Sequence, residues 1–374
     1  MSRVVKRRAP GGGKAENMKA YPIIDLDVHQ PPPNSEQYAQ YLDEPYRTEI
    51  ARFGVRPLAS GIRGEDGGNR RDLTGDLTDP RYFKSALLDR YGHRFALLSG
   101  NTGQIAGIPD PDYVAALCRA QNDFYIEHWL PVDKRFRLGL KIPLQDPPAA
   151  VREIERLAGA PQVAAVCFFA TANRIPFGNR YYWPIYEACE RHRLPIHCHP
   201  STGSTIANAA MTPAGEATTY LESHVCMPQF YMAQTASMIL NGVFEKFPGL
   251  RVVLVEGGIA WLPHLLWRMD AEFKALRQQA PHLKRMPSEY VREHVRLTTQ
   301  PIEEPAKAEH LVQIFNMIDA DHTVMYASDF PHYDFDEPTK LPRMLGESTI
   351  RRILHDNACE FFGLDPLDTE PTNA

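Results

Sequence analysis

The sequence predicts a (β/α)₈ barrel that is distorted and carries a long insertion after its first strand. Short apolar runs alternate with stretches of helical character along most of the 374-residue chain, and eight such runs can be counted. Repeated strand–helix units form a parallel sheet, and eight of them close that sheet into a TIM barrel. The main competitor is an open doubly wound sheet. No GxGxxG motif follows the first run, which disfavours the dinucleotide-binding version of that competitor.

The predicted strands are short runs rich in Val, Ile, Leu and Phe. They cover residues 21–28, 94–100, 136–144, 163–170, 194–200, 250–258, 295–302 and 323–331. The predicted helices are longer amphipathic stretches between these runs. They are DYVAALCRAQNDFYIEHWL, PAAVREIERLAG, YWPIYEACERH, a region at about 220–245, AWLPHLLWRMDAEFKAL, PAKAEHLVQIFNMI and LPRMLGESTIRRILHDNACEFFG.

The chain is expected to contain one domain and two tails. Residues 1–20 are basic, lack the apolar core of a secretory signal and are predicted to be disordered, as are residues 364–374. Residues 21–363 would form the single barrel domain. Residues 30–90 are rich in Pro, Gly and charge and would lie over the mouth of the barrel as a lid. For the central part of this insertion, a disordered surface excursion is the alternative.

The composition excludes several classes of function. Hydrophobic residues make up 43% of the chain, which allows a large core, and the formal net charge of −5 does not favour nucleic acid or an anionic membrane as a partner. No apolar run approaches the roughly 18 residues that span a bilayer. The six cysteines show no CxxC spacing, and several lie in apolar runs. This usage predicts reduced thiols and a cytoplasmic location.

Side chains with metal-binding chemistry occur at the ends of four predicted strands, where barrels of this type place functional groups. They are Asp27 and His29 on strand 1, His197 and His199 on strand 5, Glu256 on strand 6 and Asp329 on strand 8. His224, in LESHVCMPQF, adds an imidazole after strand 5. Imidazole and carboxylate groups bind Zn²⁺, Fe²⁺ or Mn²⁺. Each position alone is more often structural, whereas their joint placement predicts a metal site.

The first strand, YPIIDLDVHQ, shows how the polar residues divide. Side chains two residues apart point to the same face of a strand, so Asp25, Asp27 and His29 share a face. Asp25 would lie deeper in the barrel and is expected to make structural hydrogen bonds. Asp27 and His29 would lie at the open end, where they could bind a metal.

Four segments, IIDLDVH, LPIHCHP, VVLVEGGIAWLP and MYASDFP, resemble the signature strands of the amidohydrolase-related metal enzymes. The resemblance is to the branch that contains aminocarboxymuconate-semialdehyde decarboxylase and the resorcylate-type decarboxylases, and it extends from about residue 21 to residue 362. It implies a distorted TIM barrel. It also implies metal ligands at Asp27, His29, His199 and Asp329, of which the last also handles protons in that family.

Two departures from the family pattern affect the expected chemistry. Asp27 occupies a position where relatives usually place His, and Glu256 stands where family decarboxylases usually carry a catalytic His. A carboxylate does not replace a cationic imidazole as a proton donor. The standard decarboxylation mechanism is therefore disfavoured, and His224 would either take over that function or act as a ligand.

The carboxylate-rich site predicts two metal ions, because the three carboxylates of Asp27, Glu256 and Asp329 give a formal charge of −3 that one divalent ion only partly offsets. The predicted ligands are Asp27, His29, His199, His224, Glu256 and Asp329. Three of them, Asp329, His224 and Glu256, are also predicted to be catalytic. No organic cofactor is expected.

The predicted function follows from the two ions. A pair of iron or manganese ions suits O₂ activation, and the superfamily is similar to a small group of dinuclear non-haem oxygenases on this fold. The first expectation is therefore O₂-dependent hydroxylation of a small molecule. Hydrolysis of a C–N or C–O bond by metal-activated water, with zinc as the alternative metal, is the second, and non-oxidative decarboxylation is the third. A degenerate scaffold subunit is a further alternative. By analogy with the family, a homo- or hetero-oligomer is expected.

Overall fold

The computed structural model describes residues 22–55, 68–100, 105, 108–170, 175–200, 212 and 214–365. Within these ranges, eight parallel strands form one sheet in sequence order from β1 to β8. The strands are β1 (Ile23–Val28), β2 (His93–Leu98), β3 (Phe136–Leu140), β4 (Val163–Phe169), β5 (Ile196–His199), β6 (Val252–Leu254), β7 (Val295–Thr298) and β8 (Val324–Met325).

The sheet closes between its first and last strands. The amide of Leu26 donates to the carbonyl of Tyr326 at 3.2 Å, and Val28 pairs with Phe330 in parallel register. Helices follow each strand, so the arrangement is a (β/α)₈ barrel. The predicted fold and all eight predicted strands are confirmed.

The helices lie between successive strands and after the last one. They are α1 (Ser35–Tyr41), α2 (Tyr46–Phe53), α3 (Pro80–Phe83), α4 (Pro111–His128), α5 (Pro147–Leu157), α6 (Trp183–Arg191), α7 (Tyr220–Leu240), α8 (Val243–Lys246), α9 (Leu262–Leu276), α10 (Pro287–His294), α11 (Ala308–Met317), α12 (Ala320–Thr323), α13 (Gly346–Arg351) and α14 (Asn357–Phe362). Two π-helical segments, Lys84–Asp89 and Arg352–Asp356, extend α3 and join α13 to α14.

Helix starts in the barrel wall are fixed by acidic caps. Asp110 accepts hydrogen bonds from the amides of Asp112 and Tyr113 at the start of α4, and Asp146 accepts one from Ala149 at the start of α5. Both helices begin with Pro, whose fixed φ suits the first helical position. These caps orient the helices that cover the sheet.

The lower part of the barrel is filled by apolar side chains. Ile24, Phe95, Val253 and Met325, which come from four different strands, form one buried cluster with Phe361 of α14. Only the barrel interior brings side chains from such distant strands together. The helix α14 therefore plugs the N-terminal end, and the polar residues are left at the C-terminal mouth.

The insertion after β1 contacts the barrel on two sides. Tyr38 of α1 and Ile50 of α2 pack in one buried cluster with Leu117 of α4. Further along, Asn69 pairs with His332, and the amide of Tyr333 donates to Gly68 at 2.9 Å. Residues 68–69 thus lie against the loop that follows β8, at the barrel mouth. Residues 56–67, the tail at 1–20 and residues 366–374 lie outside the described part of the chain, and the lid role stays a prediction.

All six cysteines are free in the structure, and five of them are buried. Among the described residues, no helix is both long enough and apolar enough to span a membrane.

Candidate metal centre

The polar residues of β1 separate into a structural group and a group that faces the barrel mouth. Asp25 accepts hydrogen bonds from the amides of Ser328, at 2.9 Å, and Asp27, at 3.2 Å, and its other oxygen lies 3.2 Å from His93 Nε2. Asp27 instead accepts a hydrogen bond from Ser99 Oγ at 2.7 Å, while its Oδ2 is buried without a hydrogen-bond partner. Asp25 is thus engaged in holding strands together, and Asp27 keeps one oxygen free.

His29 lies at the centre of the cluster. Its Nε2 is 3.0 Å from Asp329 Oδ1, 3.3 Å from Asp27 Oδ1 and 3.2 Å from His199 Nε2. Its ring also lies against that of His332, with the centroids 4.3 Å apart. The Nε2 atom of His29 therefore lies close to side chains from the ends of β1 and β5 and from the loop after β8.

The two histidines of β5 face different partners. The Nδ1 atom of His199 donates to the carbonyl of Pro200 at 2.5 Å, which leaves Nε2 as the electron-pair donor. That Nε2 lies 2.8 Å from Glu256 Oε2 and 3.6 Å from Asp27 Oδ2. His197 donates from Nε2 to the carbonyl of Leu26 at 2.7 Å. His199 therefore points into the cluster, whereas His197 ties β5 to β1.

Glu256 and Asp329 are held in an unusual backbone conformation. Their φ angles are +58° and +59°, in the left-handed region that residues other than Gly rarely adopt. The surrounding bonds fix them there: the amide of Glu256 donates to Thr298 Oγ1 at 3.2 Å, and that of Asp329 donates to Asp27 O at 3.2 Å. Such strain is concentrated at functional sites, and here it turns both carboxylates out of their strands.

His224 approaches the cluster from α7. Its Nε2 lies 3.4 Å from Glu256 Oε1 and 3.9 Å from Asp334 Oδ2, and no hydrogen-bond partner satisfies this buried nitrogen. The ring of Tyr220 stacks on it with the centroids 5.3 Å apart. His224 thus faces one carboxylate oxygen of Glu256 and His199 faces the other, and the role of His224 as a ligand stays a prediction.

The carboxylates and imidazoles shift one another's pKa values. Burial alone would raise the pKa of Asp27 and lower that of His29, but their mutual attraction outweighs it. The pKa of Asp27 is lowered, and that of His29 is raised to about 10 with the help of Asp329. In the same way, Asp27 and Glu256 outweigh burial to raise the pKa of His199. The cluster therefore favours positive charge at its centre.

These residues fit a divalent cation. One ligand atom each from Asp27, His29, His199 and Glu256 lie within 4.8 Å of one another, and a second such group joins His29 to Asp329 and His332. Atoms that share a cation through bonds of about 2.1 Å lie roughly 3.0–3.4 Å apart, close to the separations seen here. The buried, unpartnered oxygen of Asp27 supports the same conclusion, since such an atom is costly without a partner. The structure therefore contains a carboxylate–imidazole cluster suited to metal binding.

Two further residues contact the cluster and were not predicted. Ser99, at the end of the second predicted strand, orients Asp27 through its hydroxyl. Asp334 lies five residues after Asp329 and shares the side-chain amide of Gln300 with it, at 3.0 and 3.3 Å. Burial, together with Asp329 and Glu256, raises the pKa of Asp334 to about 7. The position of Asp334 in a loop that follows a barrel strand was the only feature of the sequence that could have indicated a place in the site.

Comparison with known proteins identifies relatives along almost the whole chain. The sequence profile of the family described as Amidohydrolase matches residues 24–364. A γ-resorcylate decarboxylase of Polaromonas is 26% identical over 333 residues, covering 87% of this chain and 98% of that protein.

Solved structures share the fold. The 2,6-dihydroxybenzoate decarboxylase of Rhizobium is 19% identical with a TM-score of 0.64, covering 92% of this chain and 99% of its own. The 5-carboxyvanillate decarboxylase of Novosphingobium aromaticivorans, solved with manganese, is 20% identical with a TM-score of 0.67, covering 92% of this chain and 96% of its own.

These relatives overturn the predicted order of functions. They are named as decarboxylases, so the expectation of an O₂-dependent hydroxylation, with hydrolysis second and decarboxylation third, is wrong. The error has a physical cause. The prediction treated Asp27, Glu256 and Asp329 as uncompensated charges, whereas in the structure each lies within 3.5 Å of an imidazole nitrogen. The number of carboxylates was therefore not a sound reason to expect a reaction that uses O₂.

Proposed function

The chain belongs to the amidohydrolase family, and from that premise we propose that it is a metal-dependent enzyme that removes carbon dioxide from a small aromatic acid without oxygen. The observation that carries the proposal is the convergence of Asp27, His29, His199 and Glu256 at the barrel mouth. The names of the relatives support the reaction and the substrate class, since they act on resorcylate, dihydroxybenzoate and carboxyvanillate.

We propose manganese as the metal, with iron and zinc as alternatives. Asp27, His29, His199 and Glu256 would hold it, with Asp329 beside them. Carboxylate and imidazole ligands suit Mn²⁺, and the relative from Novosphingobium was solved with manganese. When bound, the ion would stabilise negative charge on the oxygens of the acid. Both ligand groups include His29, which favours one ion, and the predicted pair of ions is the alternative.

Non-oxidative decarboxylation exchanges a carboxylate on a ring carbon for a proton. The bond between the ring and the carboxyl carbon breaks, its electron pair stays on the ring, and carbon dioxide leaves. The electron pair then takes a proton, so the enzyme needs a proton donor close to that carbon. It also needs fixed groups that keep the acid in place.

His224 is the proposed proton donor, at Nε2. Burial lowers the pKa of His224, but Glu256 and Asp334 outweigh this effect and raise it, which favours the protonated ring. No hydrogen bond occupies the Nε2 atom. By contrast, His332 and His29 outweigh burial to lower the pKa of Asp329. Because its carboxylate is ionised, Asp329 is better suited to bind a metal ion than to donate a proton.

Gln300 and His332 hold Asp329 in place. Gln300 Nε2 donates to Asp329 Oδ2 at 3.3 Å, and His332 Nδ1 lies 2.8 Å from Asp329 Oδ1. With both oxygens of Asp329 engaged, the carboxylate has a fixed orientation toward His29. We further propose that the insertion covers this mouth, because Asn69 pairs with His332. Oligomerisation stays an expectation.

The proposal is tested by turnover of hydroxylated benzoic acids under nitrogen. Manganese-loaded protein is incubated with a panel that includes 2,6-dihydroxybenzoate and 5-carboxyvanillate, and carbon dioxide and the phenolic product are measured. We expect release of both in equal amounts from at least one acid. If none of the acids in the panel is consumed, the proposal is contradicted.

The role of His224 is tested by the variant His224→Gln. We expect kcat to fall by about 100-fold or more, the range of general acid catalysis, while manganese content stays at the wild-type level. His310→Gln, which changes an exposed histidine of α11, is the matched control and should retain activity. Wild-type turnover by His224→Gln would remove His224 from the mechanism.

A further inference from the structure

Gln300, two residues after β7, carries a buried amide oxygen that lacks a donor within the described part of the chain. The side chain is 0% exposed, and its Oε1 atom has no hydrogen-bond partner there, whereas its Nε2 atom has two. A buried acceptor without a donor is costly, so such an atom calls for an explanation. The proposed reaction uses only the nitrogen of this amide, which holds Asp329.

The orientation of the amide is fixed by two carboxylates. Gln300 Nε2 donates to Asp329 Oδ2 at 3.3 Å and to Asp334 Oδ2 at 3.0 Å, which uses both of its N–H groups. The reverse orientation would place the amide oxygen against the same two carboxylate oxygens, which would repel it. Oε1 is therefore the atom left over, and it can only accept a hydrogen bond.

The amide lies on the inner face of the barrel, at its mouth. Alternate residues of a strand share a face, so Gln300 follows Thr298, whose Oγ1 accepts a hydrogen bond from the amide of Glu256 at 3.2 Å. Gln300 then contacts Asp329, whose Oδ1 lies 3.0 Å from His29 Nε2. The unsatisfied oxygen thus belongs to a side chain that adjoins the candidate metal ligands.

Asp334 places Gln300 beside the proposed proton donor. Asp334 Oδ2 lies 3.0 Å from Gln300 Nε2 and 3.9 Å from His224 Nε2, so both side chains adjoin one carboxylate oxygen. His224 Nε2 and Gln300 Oε1 are both buried without a hydrogen-bond partner among the described residues. A ligand at this point therefore needs an atom that takes the proton of His224 and, beside it, a hydrogen-bond donor for Gln300.

We propose that Gln300 Oε1 accepts a hydrogen bond from a phenolic hydroxyl group of the substrate and makes the site selective for hydroxylated aromatic acids. The choice of a phenol as the donor rests on the proposed function, whereas the need of Oε1 for a donor does not. An aromatic acid without a hydroxyl group is disfavoured, because a buried polar group of the site is then left unpaired. Gln300 is therefore a specificity-determining residue as well as a support for Asp329.

Two variants separate selectivity from the support of Asp329. Gln300→Met removes both polar atoms of the amide, and Gln300→Glu keeps an acceptor but sets a third carboxylate against Asp329 and Asp334. If Gln300 only supports Asp329, Gln300→Glu is the more damaging change, because like charges repel. If Oε1 selects the hydroxyl group, Gln300→Glu keeps the preference for hydroxylated ligands and Gln300→Met loses it.

The experiment measures the Kd of two probes by calorimetry with the manganese-loaded proteins, whose metal content is determined in parallel. The probes are 2-nitroresorcinol, which carries two hydroxyl groups, and 1,3-difluoro-2-nitrobenzene, in which fluorine replaces them and cannot donate. A nitro group cannot leave as carbon dioxide, so binding is measured without turnover. We expect wild type to prefer 2-nitroresorcinol and this preference to fall about tenfold in Gln300→Met.

The preference should persist in Gln300→Glu and in the matched control Gln313→Met, which changes an exposed glutamine of α11. Gln300→Leu replaces Gln300→Met if the latter does not fold. An undiminished preference in Gln300→Met would overturn the proposal, as would equal loss of both probes together with manganese, or failure of wild type to bind 2-nitroresorcinol. Loss of the preference in a protein that turns over no acid would remove the proposed function and leave the role of Gln300 intact.

Discussion

His29 links the protonation of the centre to its occupancy by metal. Its Nε2 faces Asp27 and Asp329 at 3.3 and 3.0 Å, and these carboxylates outweigh burial to raise its pKa to about 10. A metal ion binds only the unprotonated nitrogen. At neutral pH a proton and a metal ion therefore compete for the same atom.

We expect Mn²⁺ to bind more tightly as the pH rises from about 6 to about 9, by about tenfold per pH unit for each proton displaced. The stability of the metal-free chain should change in the opposite direction and fall as the pH rises. The raised pKa of His29 stabilises the fold fully below its ordinary value of 6.5, and this contribution is lost as the pH rises through about 10. Chelator competition across the pH range measures the first effect. A Kd that does not change with pH would contradict it.

At the same scale, the positions of the candidate ligands could be predicted because they lie at strand ends. Asp27, His29, His199, Glu256 and Asp329 lie at or just after the ends of apolar runs, and a parallel barrel brings such ends together. Ser99 also ends a predicted strand, but serine is common in such positions and gave no chemical signal.

The barrel strands end earlier than their sequences suggest. The apolar runs predicted strands to residues 258 and 331, whereas β6 ends at Leu254 and β8 at Met325. Glu256 and Asp329 adopt positive φ, so they leave the ladder and carry their side chains into the mouth. Hydrophobic pattern identifies a strand but not the residue at which a strained turn ends it.

The cap at the start of α7 should fix the position of His224, which lies in the second turn of that helix. Thr219 caps the helix by accepting a hydrogen bond from Glu222 N at 3.2 Å, and such caps contribute about 1 kcal/mol. We therefore expect Thr219→Ala to lower kcat by about fivefold at unchanged Mn²⁺ affinity. Thr219→Ser keeps the cap and should behave as wild type. Equal activity of the two variants would contradict this role of the cap.

In the whole molecule, the apolar and the polar halves of the barrel interior have separate tasks. Phe361 of α14 closes the N-terminal end within the apolar cluster, and the candidate ligands occupy the mouth. Lys141, a buried residue that follows β3, belongs to neither pattern, because its run, FRLGLKIPL, predicts a strand without indicating which way the lysine points.

A bound metal ion should stabilise the molecule, because the candidate ligands come from strands at opposite sides of the barrel. A ligand at 100 times its Kd stabilises the native state by about 2.7 kcal/mol. We therefore expect EDTA treatment to lower the Tm and added Mn²⁺ to restore it. Asp27→Asn, which weakens the proposed site, should show a smaller shift. Identical Tm values for loaded and stripped wild type would contradict a metal bound across the barrel.

The most direct measurement is turnover in D₂O without oxygen, with an acid from the panel. We expect one carbon dioxide per molecule of acid consumed and one deuterium on the ring carbon that lost the carboxylate, because a solvent-exchangeable group supplies the proton. Consumption of the acid only in the presence of O₂, or without release of carbon dioxide, would contradict non-oxidative decarboxylation.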